Sequence, residues 1–264
     1  MVDARWIRKK NGVEIYRFVR LENSFPPHFH KYGLVGRLLA GKRVLRVNGD
    51  SRVLSVGDIV VIKPREVHSC ERIGAEYNIW QAATIPARYF TRVEEISNFP
   101  VLDKIASRER EDLFNKIESD SDPVPILNYE SALDGDTDCQ KNRDERFSKL
   151  LAEFEKRLEF KFEVAEMASS ISMDKFSFIR KFAASFHITP HKYLDSLRVA
   201  RGCELLSRGK TIGDCAPLVG LYDQSHFTSL FRRYVGVTPA VYKNAGNYSG
   251  GVLNLLSSNL PEEA

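Results

Sequence analysis

The pattern Phe178-x3-Phe182-x6-Thr189-Pro190-x2-Tyr193 recurs 49 residues later as Phe227-x3-Phe231-x6-Thr238-Pro239-x2-Tyr242. Five identities at identical spacing indicate one supersecondary unit used twice. Each Phe pair is spaced i, i+4, so both rings share a helix face and belong to a core. The Thr-Pro that follows ends that helix or starts the next. Short tandem helices with polar outer faces point to a duplicated helix-turn-helix. Its chemistry would be hydrogen bonding to base edges and neutralisation of phosphates. Far upstream, His28-Phe29-His30 places two imidazoles at alternating positions, hence on one face of a strand. Imidazole serves equally as a hydrogen-bonding group and as a metal ligand.

Charge agrees with the first reading. Residues 170–245 hold eleven Lys/Arg against five Asp/Glu, whereas the rest of the chain is slightly acidic. A surface that meets phosphates needs this bias. With 264 residues the chain has room for two domains, each with its own core. No stretch approaches 18 uncharged apolar residues and the N-terminus lacks a signal-peptide core, so no membrane partner and a cytoplasmic location are expected. Cys70, Cys139, Cys203 and Cys215 have no C-x-x-C spacing and read as free thiols of a reducing compartment.

The elements that must carry these groups differ between the two halves. From Val13 to about Ile85, short apolar runs (Leu34–Leu39, Val44–Val47, Ile59–Ile62) alternate with turn signals at Ala40-Gly41, Asn48-Gly49-Asp50 and Gly57-Asp58. Such spacing predicts an antiparallel barrel or sandwich. Val101–Glu118 reads as charged helix, and Ser119–Asp138, with its prolines and aspartates, as an exposed connection. Phe147, Leu150, Leu151, Phe154 and Leu158 form one apolar stripe on a helix over Arg143–Leu158, expected to pack on the sheet half or to join two copies. Beyond it, Asp174 is the expected N-cap of a helix to Phe186, followed by a longer helix Tyr193–Ser207 ending at Gly209. Thr211 and Asp223 are expected to cap two more, the last being Gln224–Tyr234. The tail 247–264 shows little periodicity.

Gly209-x-Thr-Ile-x4-Pro-x2-Gly220-x2-Asp223-Gln-Ser-His-Phe227-x3-Phe231-Arg-Arg-x2-Gly236-x-Thr-Pro239-x2-Tyr242 resembles the C-terminal signature of AraC/XylS-type transcriptional regulators. The resemblance implies an α+β fold in two domains: a cupin-like antiparallel β-barrel over 1–100 that senses an effector, and an all-α DNA-binding domain with two helix-turn-helix units over 161–246. Residues 101–160 would link them, and dimerisation would run through the N-terminal barrel or through the Arg143–Leu158 helix. By position in the family, Phe176, Ile179 and Arg180 face bases from the first recognition helix, and Gln224, Ser225, His226 and Ser229 from the second. Arg180 would pair with guanine, Gln224 with adenine, and Phe176 and Ile179 with thymine methyls. Lys175, Lys181, Arg232 and Arg233 suit phosphates. Three departures stand out: His187 where Gly is usual, Pro217 inside a short helix, and Ser229 where Arg is frequent. They weaken the second unit's base specificity more than the first's.

His28-Phe29-His30 and Pro64-Arg-Glu-Val-His68 resemble the two conserved blocks of a cupin. In metal cupins, histidines at these places and a Glu hold a divalent ion, but Lys31-Tyr32-Gly33-Leu34-Val35 offers no carboxylate. No cofactor is therefore expected, with a divalent metal on His28, His30 and His68 as the alternative. Effector contacts are expected from His28, His30, Tyr32, Arg37, Glu66, His68 and Trp80, with Gln81 a neighbour. The resemblance implies a non-enzymatic, effector-controlled activator. Its partners would be double-stranded DNA, a small molecule, RNA polymerase and a second copy of the chain. Two rivals remain at this stage: a metal cupin enzyme with a DNA-binding tail, and a constitutive DNA-binding protein whose barrel only dimerises.

Overall fold

The computed structural model describes residues 3–8, 12–74, 77–87 and 145–245. Expectations for Val101–Glu118, Ser119–Asp138, Cys139 and the tail lie outside them. The first half is antiparallel β: β1 (Asp3–Arg8), β2 (Glu14–Val19), β3 (Phe25–His28), β4 (Gly33–Ala40), β5 (Lys42–Val47), β6 (Asp50–Leu54), β7 (Ile59–Ile62), β8 (His68–Ile73) and β9 (Ile79–Ile85). They form two sheets, ordered β1-β2-β9-β4-β7 and β3-β8-β5-β6. The hydrogen-bonded ladders thus make two antiparallel sheets. Asn48 and Gly49 both take positive φ (51° and 100°), the conformation a two-residue hairpin turn needs between β5 and β6.

The second half is helical: α1 (Glu145–Lys156), α2 (Val164–Ser170), α3 (Lys175–Phe186), α4 (Pro190–Ser207), α5 (Ile212–Leu218), α6 (Gln224–Val235) and α7 (Pro239–Ala245). Helix starts follow the expected caps. Asp174 accepts from the amides of Phe176 and Ser177, Thr211 and Asp214 form a reciprocal capping box, and Asp223 accepts from the His226 amide at 2.7 Å. Pro190 begins α4, three residues earlier than the expected Tyr193, because Thr189 caps it and Pro suits the first turn. Pro217 does sit inside α5, which ends one residue later. The equivalent C-caps of α3 and α6 are His187 and Gly236, both left-handed (φ 53° and 89°). The histidine carries a backbone cost of roughly 1–2 kcal/mol that glycine avoids.

The two Phe pairs anchor two separate cores. Phe178, Phe182 and Phe186 pack with Tyr193 and with Phe147, Leu150, Phe154 and Leu158 from α1 and its end. The stripe on α1 therefore covers the first helix-turn-helix unit. The same cluster takes in Phe29 and Val67 of the sheet half, and burial of Phe147, Leu150, Phe154 and Leu158 leaves none of the four free for a second copy. Phe227 and Phe231 instead join Tyr234 and Tyr242 in a cluster continuous with Tyr16, Phe18, Leu38 and Leu45 of the sheets. Polar ties reinforce the docking: Glu155 pairs with Arg65 at 2.7 Å and Lys31 at 3.4 Å, and the Tyr242 hydroxyl donates to Glu14 at 3.3 Å.

Candidate DNA interface and effector cavity

The recognition helices present their polar faces outward. In α3, Lys175, Phe176, Arg180 and Lys181 are exposed, and Phe176 is 77% exposed, a large ring that no core claims. Among the described residues, Arg180 makes a 3.4 Å contact to the Ser177 hydroxyl, a partner one turn away on its own helix. Ile179 is half-buried and packs against the first unit's core. In α6, Gln224, Ser225, His226, Ser229, Arg232 and Arg233 are all exposed. Gln224, Ser225, Ser229, Arg232 and Arg233 line a groove whose opposite wall is Asn23 and Ser24 of the sheet half. Asn23 also donates to the Gly236 carbonyl at 3.4 Å. The second reading face thus borders the sensing half.

A second site lies between the halves. A cavity of about 80 Å³ is walled by Tyr16, Phe18, Phe25, His28, His30, Tyr32, Arg43, His68, Cys70 and Trp80 from the sheets. Its other wall is Ser196, Val199, Ala200 and Cys203 of α4 with Tyr234 and Val235 of α6. A single water needs only roughly 10–15 Å³, so the space admits a compact organic molecule. Five of the seven residues expected to touch an effector, His28, His30, Tyr32, His68 and Trp80, line it. Arg37 and Glu66 do not. Even-numbered positions of β4 such as Leu34 face inward, so odd Arg37 lies on the other face, donating to Gln81 of β9 at 2.9 Å. Glu66 turns its carboxylate back onto the Lys63 amide at 3.0 Å.

Among the described lining residues, Arg43 is the charged one. Arg43 is fully buried and donates to the Cys70 sulfur, the Asn78 side chain and the carbonyls of Asn23 and Cys70, with the Phe25 ring 5.6 Å from its Cζ. No described carboxylate pairs with it; carbonyl dipoles and a ring face compensate the cation. Burial lowers His28 to about 4 and holds His68 and His30 well below the usual histidine range, the neighbouring imidazoles adding to the effect, so all three rings are neutral. Burial likewise raises the phenols of Tyr16 and Tyr32, which stay protonated as hydrogen-bond donors. Arg43 and the α4 and α6 residues had no signal in the sequence beyond their apolar or basic type. They reach the cavity through packing between sequence-distant elements.

Two family models match the chain: a helix-turn-helix domain over residues 167–245 and the AraC-like ligand binding domain over residues 11–97. The chain belongs to the AraC family of transcriptional regulators. It is 27% identical over 243 residues to the uncharacterized HTH-type transcriptional regulator YbfI of Bacillus subtilis, covering 81% of this chain and 85% of the relative. It is 26% identical over 243 residues to the probable transcriptional regulator LumQ of Photobacterium leiognathi, covering 86% and 96%. Among solved structures, ToxT of Vibrio cholerae bound to an unsaturated fatty acid superposes with a TM-score of 0.53 at 14% identity, covering 92% of this chain and 94% of that one. ToxT from strain O395 gives 0.52 at 13%, covering 93% and 97%. That likeness shows the two-domain fold. This AraC-family chain therefore joins a DNA-binding helical half to a ligand-binding sheet half. Among its described residues no helix is long and apolar enough to cross a membrane.

Proposed function

We propose that a compact, largely apolar small molecule enters the cavity between the halves and changes the availability of α6 to DNA. One observation carries this reading: α6 serves both sites. Its Gln224, Ser225 and Ser229 belong to the DNA-facing groove, and its Tyr234 and Val235 wall the cavity. A ligand that swells or fills the cavity presses on Tyr234. It acts on DNA affinity only through a difference in its affinity for the two arrangements. The bound fatty acid in ToxT supports a ligand with an apolar body, and Arg43 suits an anionic head. Residues 1–100 would be the sensing unit and 161–246 the reading unit, working in the cytoplasm as a homodimeric activator that engages RNA polymerase, without enzymatic activity. Arg180 and Gln224 would read bases from successive major grooves roughly 34 Å apart, while Lys175, Lys181, Arg232 and Arg233 hold phosphates.

The test is selection of genomic fragments by the full chain at physiological salt, with and without a metabolite extract. A motif with two contact blocks about one helical turn apart, enriched differently in the two conditions, is expected. Enrichment identical in both conditions, for every extract fraction, would overturn the effector control. No enrichment in either would overturn sequence-specific reading.

A further inference from the structure

The groove beside α6 has a wall that the DNA-reading half does not supply. Asn23 and Ser24 belong to the segment between β2 and β3, yet they line it together with Ser225, Ser229, Arg232 and Arg233. Among the described residues, every side chain lining this groove is an arginine, a hydroxyl or an amide, and none is a carboxylate or a plain hydrocarbon. Glu22, the neighbouring acid, is exposed but does not line it. Guanidinium, hydroxyl and amide donors are the set that proteins present to phosphate oxygens. Both sheet-half donors retain a hydrogen. Ser24 Oγ accepts from the Arg72 amide at 3.3 Å, which leaves its own O–H for a further acceptor. Asn23 uses one amide hydrogen on the Gly236 carbonyl at 3.4 Å and keeps a second.

The segment is also held in place. Arg43 donates to the Asn23 carbonyl at 2.6 Å and to the Asn78 side chain at 3.0 Å, while the Leu21 amide donates to the Asn78 carbonyl at 2.9 Å. The Phe25 ring lies so close to Gly236, the C-cap of α6, that a Cβ there would stand 3.2 Å from it. A contact from so fixed a segment avoids much of the ordering cost of binding. A helix of about 10–12 Å diameter fills a major groove about 12 Å wide, so a sugar-phosphate strand runs along each of its sides. A donor fixed beside the helix meets that strand. We infer that the sensing half makes its own contact to DNA, with Asn23 and Ser24 donating to a phosphate of the strand on the Arg232 side of α6. The inference rests on α6 reading the major groove and adds a contact from outside the DNA-binding domain. Such a contact positions the duplex and carries no sequence information.

The test is binding of the full chain to a mixed-sequence duplex, measured by anisotropy across a range of salt, because the slope of log affinity against log salt counts neutralised phosphates. Ser24 is exposed, so its variants leave the core intact, which melting temperatures check. Ser24→Lys should tighten binding at low salt and steepen the slope by about one unit, and Ser24→Asp should weaken binding by about 10-fold. Ser51→Lys is the control: it lies exposed on β6, the edge of that sheet opposite β3, and should leave the slope unchanged. An unchanged slope in Ser24→Lys, or an equal change in Ser51→Lys, would overturn the inference. Tighter binding by Ser24→Ala would overturn it too, since the segment would then obstruct DNA. Arg232→Ala separates this contact from the reading by α6. A lower slope in Arg232→Ala with none of the Ser24 effects removes the sensing-half contact alone, whereas no duplex binding by the unaltered chain removes both.

Discussion

Gly36→Ala is the sharpest probe of the cavity wall. Gly36 lies on the inward face of β4, and the indole of Trp80 from neighbouring β9 lies directly over it. A methyl group at position 36 would stand 2.8 Å from Trp80 Cη2 and 3.0 Å from Cε2, and closer still to Cζ2. Ordinary carbon contact needs about 3.5–4.0 Å, so the ring must retreat by roughly an ångström, and the space available to it is the cavity. The indole N–H also bonds the Tyr16 hydroxyl, so the retreat strains a second cavity residue. Overpacking of this kind costs about 1–3 kcal/mol, against which alanine in a strand regains roughly 0.5–1 kcal/mol. The net loss of about 1–2 kcal/mol should lower the melting temperature by a few degrees, at roughly 2–4 °C per kcal/mol. Ligand-induced stabilisation should shrink while DNA binding by the free chain persists. Trp80→Phe, which shortens the ring, should relieve the clash, so the double variant should be more stable than the sum of the singles predicts. Calorimetric melting of the four chains decides it. Additivity within about 0.5 kcal/mol would refute the argument that the ring and the glycine share one space.

The other expectations concern DNA and the α1 helix. Arg180→Ala should cost about 1–3 kcal/mol, or ~5- to 150-fold, at one base position of the operator, measured by anisotropy on permuted sites. Equal losses on specific and random DNA would remove it from the base readers. Arg232→Ala should weaken all sequences alike and lower the slope of log affinity against log salt by about one unit; an unchanged slope would show that it meets no phosphate. Phe147→Ala should destabilise the first helix-turn-helix unit by about 3–5 kcal/mol, with a denaturation midpoint independent of protein concentration. A concentration-dependent midpoint that the substitution abolishes would return α1 to the role of an association helix.

Much of this architecture was legible because local chemistry sets it. Asp174, Thr211 and Asp223 announce helix starts, since a short carboxylate or hydroxyl before an apolar-periodic run satisfies amides that otherwise lack partners. Asn48-Gly49 announces a hairpin because few other pairs accept positive φ twice. The repeated Phe pairs announce a duplicated unit because two cores of one shape need the same large side chains at the same spacing. What stayed hidden depends on pairing across long sequence separations. The sequence pattern places Arg37 near the histidines, and only the ladder with β9 shows that it faces the other way. The stripe Phe147–Leu158 has the right period for any apolar partner, and periodicity does not say which. Ile179 sits at a position used for base contact in the family, yet its apolar side chain also satisfies the core beneath it.

The position of α6 gives the molecule its logic. A recognition helix packed only on its own unit would read DNA regardless of the sensing half. Here the same twelve-residue helix has Phe227 and Phe231 in a core shared with Phe18 and Leu45, Tyr234 edge-on to His28, and Gln224 to Arg233 along a groove also lined by Asn23 and Ser24. The first unit touches the sheets more lightly, through Phe29 against Tyr193 and the Glu155 ion pairs at the rim. Exposed pairs of that kind contribute at most about 1 kcal/mol each. The cavity thus borders the second unit directly, through Tyr234 and Val235, and the helix α4 that joins the two units, through Ser196, Val199, Ala200 and Cys203. The departures noted in the sequence fit this division. In the proposed reading, the unit that carries Ser229 and a proline in its first helix is the one that borders the sensing half.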